Sequence, residues 1–444
     1  MEMNARDVAL RTLAACSRQG AWSDGALKRN IRDAGLDGRD AALATQLCAG
    51  VLQNRALCDF YIAAFSSVKP QKMEEKVLEA VRLGVYQLLF LDKIPDRAAV
   101  SSSVDLARHY AKNLRAAGLV NGVLRAVARS RDALPALPSE TVKHFSILYS
   151  HPEWLVREWL DLVGEEETKA LLALDNRRPE ITIQTNTLKC SGAELAAHLT
   201  KEGTSVQPHP YLPDCFYLSG SGDLERLDAW KDGLFYVQDA AARMAVLAAG
   251  LRPGQRVLDT CAAPGGKSFA AAIAMQNEGS ITACDIHPHK LKLISAGAQR
   301  LGLSLEAPQL QNGGEFRPEW ESAFDAVITD VPCSGLGVIR KKPDIRYKDP
   351  AELAGLPAVQ ERILCNAARY VRPGGILLYS TCTLRPGENQ DVVRHFLDSR
   401  SDFTCAEFVL PGPIGRVAEG MLTLWPQRTG TDGFFIARLV RRNA

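Results

Sequence analysis

Residues 257–268 read VLDTCAAPGGKS. A hydrophobic run stops at Asp259. A turn carrying Pro264, Gly265 and Gly266 follows, and then a helix-forming run, SFAAAIAMQ, begins. The stretch therefore predicts a strand, a tight turn and a helix. The pattern recurs downstream. SITACDIH, FDAVITDVP and GILLYSTCT read as strands; PHKLKLISAGAQRLG and QERILCNAARYV read as helices between them. Such alternation predicts a parallel sheet with helices on both faces. Ligands in sheets of this kind bind at the carboxyl ends of the strands. Asp259, Asp285, Asp330, Cys333 and Cys382 all fall at those ends.

The rest of the chain is organised differently. With 444 residues, two to four domains are expected at roughly 100–200 residues each. Residues 4–131 read as helix throughout. In EKVLEAVRLGVYQLLFL, the apolar Val77, Leu78, Val81, Val85, Leu88 and Leu89 share one helical face. AAVSSSVDLARHYAKN opens with three serines, each a candidate cap for the helix after it. Pro135 and Pro138 mark an extended linker. HPEWLVREWLDLVGEEETKALLALDN predicts two helices around Gly164. EITIQTNTL alternates as a half-buried strand, and it opens a small α/β subdomain that ends near residue 235.

Hydrophobic content of 46% and charged content of 23% are those of an ordinary soluble globular protein. No apolar run is long enough for a membrane helix, and the amino terminus lacks a signal-peptide core, so a cytoplasmic protein is expected. The 11 cysteines include no C-x-x-C pair, which disfavours a structural zinc site. Net charge is +2, with basic excess in the helical front. Arg115, Arg125 and Arg129 lie between Lys112 and Arg131 with no intervening acid. Such a stripe attracts a polyanion such as RNA, or is a solvated helix face.

The turn at 261–267 matches neither G-x-G-x-x-G nor the P-loop pattern, which disfavours a dinucleotide or a triphosphate. Its glycines still let a ligand approach the backbone closely, and helix-start N–H groups suit a polar or anionic group. Asp285 ends the next strand, where an acid accepts ribose hydroxyls. Cys333 and Cys382 each end a strand on the ligand side. A lone cysteine there is most often inert; two, one beside Asp330, point to chemistry. A thiolate is needed beside a nucleoside-type cofactor when carbon 5 of a pyrimidine is to accept a methyl group. Thiolate addition at carbon 6 makes carbon 5 enamine-like, and a base must later remove its proton. Methylation of an exocyclic amine needs no thiol, and the D-V-P-C loop here differs from the [DN]-P-P-[YF] loop of such enzymes.

VLDTCAAPGGKS, ACDIH, DAVITDVPCSGLGVIRKKPDIRY, GGILLYSTCTLRPGEN and TDGFFIARL resemble the RNA cytosine-C5 methyltransferases. GVLQNRALCDFYI, AVRLGVYQLLFL and GLVNGVLRAVAR are similar to a NusB-type RNA-binding domain. The pairing resembles the RsmB (Sun, Fmu) family, which methylates 16S ribosomal RNA. The resemblance implies a NusB-like helical domain over 1–140. A helical linker with a small RRM-like α/β subdomain would span 150–235, and a Rossmann-like methyltransferase domain 236–444. It implies S-adenosylmethionine as cofactor, held by Cys261, Ala262, Ala263, Pro264, Gly265, Gly266 and Lys267, with Asp285 on the ribose. Asn312 would stand where the family usually has an aspartate. Asp330 would lie between cofactor and base, with Lys267 supporting it. Cys382 would be the nucleophile, and Cys333 would assist release of the adduct. Val331 departs from the family's usual alanine or proline. Arg340, Lys341, Lys342, Arg346 and Lys348 would contact RNA phosphates. Phe434 and Phe435 would pack near the flipped base or in the core. A metal-free monomer acting on 16S ribosomal RNA is expected. The same chemistry on transfer RNA, or a non-catalytic RNA-binding or antitermination factor, are the other readings.

Overall fold

In the helix Glu75–Phe90, an apolar stripe turns toward its neighbours and buries Val77, Val81, Val85 and Leu88. Gly84 lets Leu124 and Ser103 approach: a Cβ there would lie 2.4 Å from a Leu124 methyl. Close packing of this kind makes Glu75–Phe90 the hub for Asp96–Tyr110 and Ala116–Arg129. The computed structural model describes residues 3–19, 23–113 and 115–443, which fall into two compact units. The first is Met1–Arg178 with Ile339–Lys348; the second is Pro179–Val338 with Asp349–Ala444.

The first unit is helical, as expected. Its buried Arg82 is held by Asp59 and Glu79 at 2.7 and 2.6 Å. The three serines do not cap a helix. The helix starts at Asp96 behind Pro95, whose fixed φ suits that position, and Ser101–Ser103 lie inside it. The break at Gly164 is present, with φ 78° and ψ 177° inside Glu153–Asp175.

The second unit has two larger sheets. Strands β1 (Ile181–Thr185), β2 (Ser205–Pro208), β3 (Cys215–Ser219) and β4 (Phe235–Val237) form an antiparallel sheet of order β2-β3-β1-β4. Its helix Gly192–Lys201 starts with a capping box between Ser191 and Glu194. The larger sheet contains β5 (Arg256–Asp259), β6 (Ser280–Asp285), β7 (Gln309–Leu310), β8 (Phe324–Asp330) and β9 (Val371–Thr381). After β9 come β10 (Phe403–Cys405), the hairpin β11 (Phe408–Leu410) and β12 (Gly415–Val417), then β13 (Met421–Leu424) and β14 (Phe434–Arg441).

The sheet order is β10-β14-β9-β8-β5-β6-β7, with β13 on β14. Strands β5 to β9 are parallel, as expected, but β14 runs antiparallel to β9, β10 and β13. The strands read from the sequence, β5, β6, β8 and β9, are parallel as expected, and β14, whose direction was not read, makes the sheet a mixed one. The link 425–433 between β13 and β14 is too short for a parallel crossover, so the last strand returns antiparallel. Alternate residues feed separate cores. Val257, Ile328 and Leu378 pack on one face; Leu258, Val327, Leu377 and Tyr379 pack on the other. Both faces are covered, which explains the near-continuous apolar runs in β8 and β9.

Candidate active site

Strands β8 and β9 are parallel neighbours, with Asp330 opposite Ser380. Val331 N–H still donates to Ser380 O at 3.1 Å, so the ladder ends just there. Cys333 lies three residues past Asp330, and Cys382 two past Ser380. The register therefore delivers both thiols to one place: Cys333 Sγ and Cys382 Sγ are 3.3 Å apart.

The surroundings of the two differ in charge. Lys267 Nζ donates to Asp330 Oδ2 at 2.5 Å, and Ser380 Oγ donates to Asp330 Oδ1 at 2.8 Å. The Lys267 ammonium also lies 5.0 Å from the Phe434 ring centroid. The hydrogen bond from the Cys333 thiol, with help from the Lys267 charge, lowers the Cys382 thiol below its ordinary value against the cost of burial. That same bond, burial and the charges of Glu388 and Asp330 push Cys333 well up. The pair is therefore polarised, with the thiolate favoured on Cys382 and the proton on Cys333.

A buried polar clamp holds the two cysteine loops together. Glu388 Oε2 accepts from Ser334 N–H at 2.8 Å and from Gln360 Nε2 at 3.0 Å. Ser334 Oγ and Thr383 Oγ1 are 2.7 Å apart. Asn389 accepts from Thr381 Oγ1 at 2.6 Å and donates to Thr383 O at 3.0 Å. Gly337 N–H donates to Cys382 O at 2.9 Å, and Gly337 O accepts from Gly433 N–H at 2.8 Å. These residues were not singled out from sequence, although Glu388 and Asn389 close the quoted motif GGILLYSTCTLRPGEN.

The glycine turn lies at the end of β5. Gly265 has φ +113°, and a Cβ there would lie 2.3 Å from the Phe269 ring. Ala262 and Gly265 N–H groups are spent on Cys284 O and Ala262 O, both at 2.7 Å. The turn thus leaves the N–H groups at the start of the helix Gly266–Ala274 for a ligand. Asp259 is fully buried. Its Oδ2 accepts from Ser268 Oγ at 2.7 Å, whereas Oδ1 accepts no hydrogen bond among the described residues. Burial pushes its carboxyl up to about 6, with Ser268 pulling the other way. Cys261, pushed up to about 12 by burial, is an inert thiol.

Asp285 ends β6 and accepts from His287 N–H at 2.9 Å. Asn312 follows β7, whose Leu310 pairs with Asp285. Its amide is engaged by Glu315 at 2.9 Å and by Gly314 N–H at 3.1 Å. Phe434 and Phe435 are core residues of β14, and Phe434 also faces the Lys267 ammonium.

Arg346 is a correction. It is fully buried in the first unit, where an RNA phosphate has no access. Its guanidinium donates to Asn176 Oδ1 at 2.8 Å, Tyr149 O at 3.1 Å, Asp175 O at 3.3 Å and Gln53 O at 3.4 Å. These carbonyls end three helices, where backbone acceptors lack intrahelical partners and partial negative charge collects. Among the described residues, no group of three or more His, Cys, Asp or Glu side chains could hold a metal, and no helix is long and apolar enough to cross a membrane.

Family models match in the same order as the architecture: the NusB family over 3–129, an RsmF/B-type ferredoxin-like domain over 151–225, and the 16S rRNA methyltransferase RsmB/F over 246–440. Ribosomal RNA small subunit methyltransferase B of Erwinia tasmaniensis is 31% identical over 442 residues, covering 99% of each chain. The "Probable ribosomal RNA small subunit methyltransferase B" of Bacillus subtilis is 36% identical over 445 residues, covering 98% of each. The chain belongs to the RsmB/F methyltransferase family. Among solved structures, the crystal structure of PH0851 has a TM-score of 0.81 at 25% identity, covering 99% of each chain. A methyltransferase homologue from Pyrococcus horikoshii has a TM-score of 0.59 at 26% identity, covering 68% of this chain and all of its own. The small antiparallel sheet is thus the ferredoxin-like module of an RsmB/F chain, and the mixed sheet is its methyltransferase domain.

Proposed function

We propose that this RsmB/F chain methylates carbon 5 of a cytosine in 16S ribosomal RNA, with S-adenosylmethionine as methyl donor and Cys382 as covalent nucleophile. The observation that carries the reading is the thiol pair 3.3 Å apart beside the Lys267–Asp330 ion pair. The residues of the turn fit the donor. Gly265 keeps the backbone bare, and Asp259 Oδ1 offers a buried acceptor for its ammonium group. The helix-start N–H groups of 266–268, Asp285 for the ribose hydroxyls and Asn312 for the adenine complete the set. When bound, S-adenosylmethionine supplies an electrophilic methyl group.

The chain's own residues act on the cytosine. The Cys382 thiolate adds to carbon 6, which loads electron density onto carbon 5. Asp330, fixed by Lys267 and Ser380, faces N3 and the exocyclic amine; it accepts from the amine, and it relays the proton held on the Lys267–Asp330 pair to N3 as carbon 6 is attacked and takes it back when Cys382 leaves. Cys333, next to the new thioether, passes on the carbon-5 proton so that Cys382 can leave. The base reaches these groups only out of its stack.

The test is methyl transfer to in vitro-transcribed 16S ribosomal RNA, with methylated cytosines mapped by bisulfite sequencing. Cys382→Ala is expected to abolish both transfer and covalent trapping. Cys333→Ala is expected to accumulate a protein–RNA adduct that survives denaturing electrophoresis. Adduct formation by Cys382→Ala but not by Cys333→Ala would exchange the roles, and methylation of a base other than cytosine would sink the reading.

A further inference from the structure

We propose that Cys333 and Cys382 form a reversible redox switch, in which a hydroperoxide oxidises Cys382, Cys333 resolves the product, and the resulting disulfide halts methyl transfer. The disulfide depends on the thiol pair alone; its effect on methyl transfer rests on the role given to Cys382 above.

A disulfide needs two sulfurs that can meet at about 2.05 Å without a large backbone movement. Here they are already 3.3 Å apart, so about 1.3 Å remains to be closed. The backbone on either side holds the pair in place. Val331 N–H donates to Ser380 O at 3.1 Å before the cysteines, and Gly337 N–H donates to Cys382 O at 2.9 Å beyond Cys333. Ser334 Oγ and Thr383 Oγ1, each one residue past its cysteine, are 2.7 Å apart. Loops tied in this way keep the thiols together although 49 positions separate them in the chain. Whatever oxidises one sulfur therefore leaves a second thiol against it.

The two sulfurs are not equivalent toward an oxidant. The thiolate is the form that attacks a peroxide. The hydrogen bond from Cys333, with help from the Lys267 charge, favours that form on Cys382. Both members of the pair are half-buried, which leaves a path for a molecule as small as hydrogen peroxide. Cys16, Cys190, Cys261, Cys365 and Cys405 are half-buried as well, but burial pushes each of these thiols up and keeps its proton on. A peroxide thus meets its nucleophile first at Cys382. A sulfur that is low, accessible and next to a resolving thiol has the arrangement of a redox sensor.

The chemistry closes in two steps. The Cys382 thiolate attacks one oxygen of hydrogen peroxide. A sulfur–oxygen bond forms, the oxygen–oxygen bond breaks, and two electrons pass from sulfur to the peroxide. Hydroxide leaves and takes a proton from solvent, and Cys382 is left as the sulfenic acid. The Cys333 sulfur then attacks the Cys382 sulfur. A sulfur–sulfur bond forms, the sulfur–oxygen bond breaks, and the Cys333 proton departs with the hydroxyl as water. Two thiols and one peroxide thereby give one disulfide and two waters. A dithiol reverses the product by exchange. A sulfenic acid without a partner goes on to the sulfinic acid, which a thiol does not reduce. Cys333 therefore protects the nucleophile from permanent loss, a role apart from its part in the methyl-transfer cycle.

Full-length wild type is exposed to hydrogen peroxide, quenched with catalase, blocked with N-ethylmaleimide and digested without reductant for mass spectrometry. The peptide pair joined through Cys333 and Cys382 is expected as the main oxidation product. Methyl transfer is expected to fall in proportion to that product and to return on addition of dithiothreitol. In Cys333→Ser, Cys382 is expected to be captured by dimedone as the sulfenic acid and, on longer exposure, to become a sulfinic acid that dithiothreitol does not restore. In Cys382→Ser, Cys333 is expected to stay a thiol under the exposure that oxidises the wild type. Peroxide doses that abolish methyl transfer without joining Cys333 to Cys382 would overturn the switch. So would a folded wild type whose 11 cysteines pair as indiscriminately as those of the urea-unfolded chain, or a Cys333→Ser variant whose Cys382 recovers fully with dithiothreitol. The two proposals fail separately. If the disulfide forms as stated but the reduced wild type transfers no methyl to cytosine, the catalytic reading fails and the disulfide stands. If the reduced wild type methylates cytosine but peroxide yields no such disulfide, the switch fails and the catalytic reading stands.

Discussion

Glu388 sits at the crossing of the two cysteine loops, and its removal has a cost that follows from its partners. It is buried, and its Oε2 is the acceptor for Ser334 N–H and Gln360 Nε2. In Glu388→Ala the Ser334 N–H loses this acceptor in a dry site, which costs about 1–3 kcal/mol. Gln360 keeps its bond to Pro332 O at 3.0 Å and loses only the second one, worth about 0.5–1.5 kcal/mol. The sum is about 1.5–4.5 kcal/mol, a sizeable share of a domain stability of about 5–15 kcal/mol. Glu388→Gln keeps one acceptor oxygen for Ser334 and gives up the charge near Arg385, 3.7 Å away, so it should fall between the two. Urea unfolding measures the stability. The functional readout is iodoacetamide labelling of Cys382, followed by mass spectrometry. Without the clamp, the Cys333 loop drifts, its hydrogen bond to Cys382 weakens, and the Cys382 thiolate becomes scarcer. Labelling of Cys382 near neutral pH should then slow in Glu388→Ala and recover in Glu388→Gln. A general loss of stability would not by itself slow labelling, since loosening exposes thiols. Faster or unchanged labelling in Glu388→Ala would refute the clamp.

Two further outcomes test the glycine turn and the helical unit. The carboxyl of Asp259, raised by burial from 3.8 to about 6, favours the folded state while protonated; that contribution is complete below pH 3.8 and is lost as pH rises through 6. The wild type should therefore lose roughly 2 kcal/mol of unfolding free energy between pH 4 and 7 relative to Asp259→Asn, and parallel pH profiles in urea melts would show that the residue is not buried as described. Arg346→Lys should destabilise the helical unit by about 3 kcal/mol, because an ammonium cannot bridge the carbonyls that the guanidinium fork spans; an unchanged urea midpoint would mean that those helix ends are satisfied without it.

Much of the second unit was legible because its signals are local. The strand, turn and helix at 256–274 follow from residues that adjoin in sequence, and so do the strand ends that carry Asp330 and Cys382. The antiparallel β14 was not legible, since its direction depends on which strand the short link after β13 allows it to reach. The serine-capped helix failed for a different reason. Pro95 followed by Asp96 is itself a start signal, with a fixed φ and an acid in the first turn, and it overrode the serines. Arg346 failed for distance. Read beside Arg340, Lys341 and Lys342, it belongs to a basic loop, but its acceptors are Gln53, Tyr149, Asp175 and Asn176, up to 293 residues away. Its apolar company, Pro343, Ile345 and Tyr347, was the available sign of burial.

The division of labour proposed for the cysteines rests on asymmetry rather than position. Both end adjacent parallel strands, so register alone makes them interchangeable. What separates them is the company each loop brings. The Cys333 loop is tied to the carboxylate of Glu388, which disfavours a second negative charge on Cys333. Cys382 has the Lys267 ammonium among its neighbours and takes the hydrogen bond from Cys333. A thiolate on Cys382 is thus stabilised by the very proton that Cys333 is made to keep. In the proposed adduct, with Cys382 bonded to carbon, that hydrogen bond would have no anion to serve, and Cys333 would be released to move a proton at the site where the adduct must break. In the proposed reaction, attack by Cys382 and then release aided by Cys333 follow this asymmetry: Glu388 comes after Cys382 in the chain, but its carboxylate lies on the Cys333 loop.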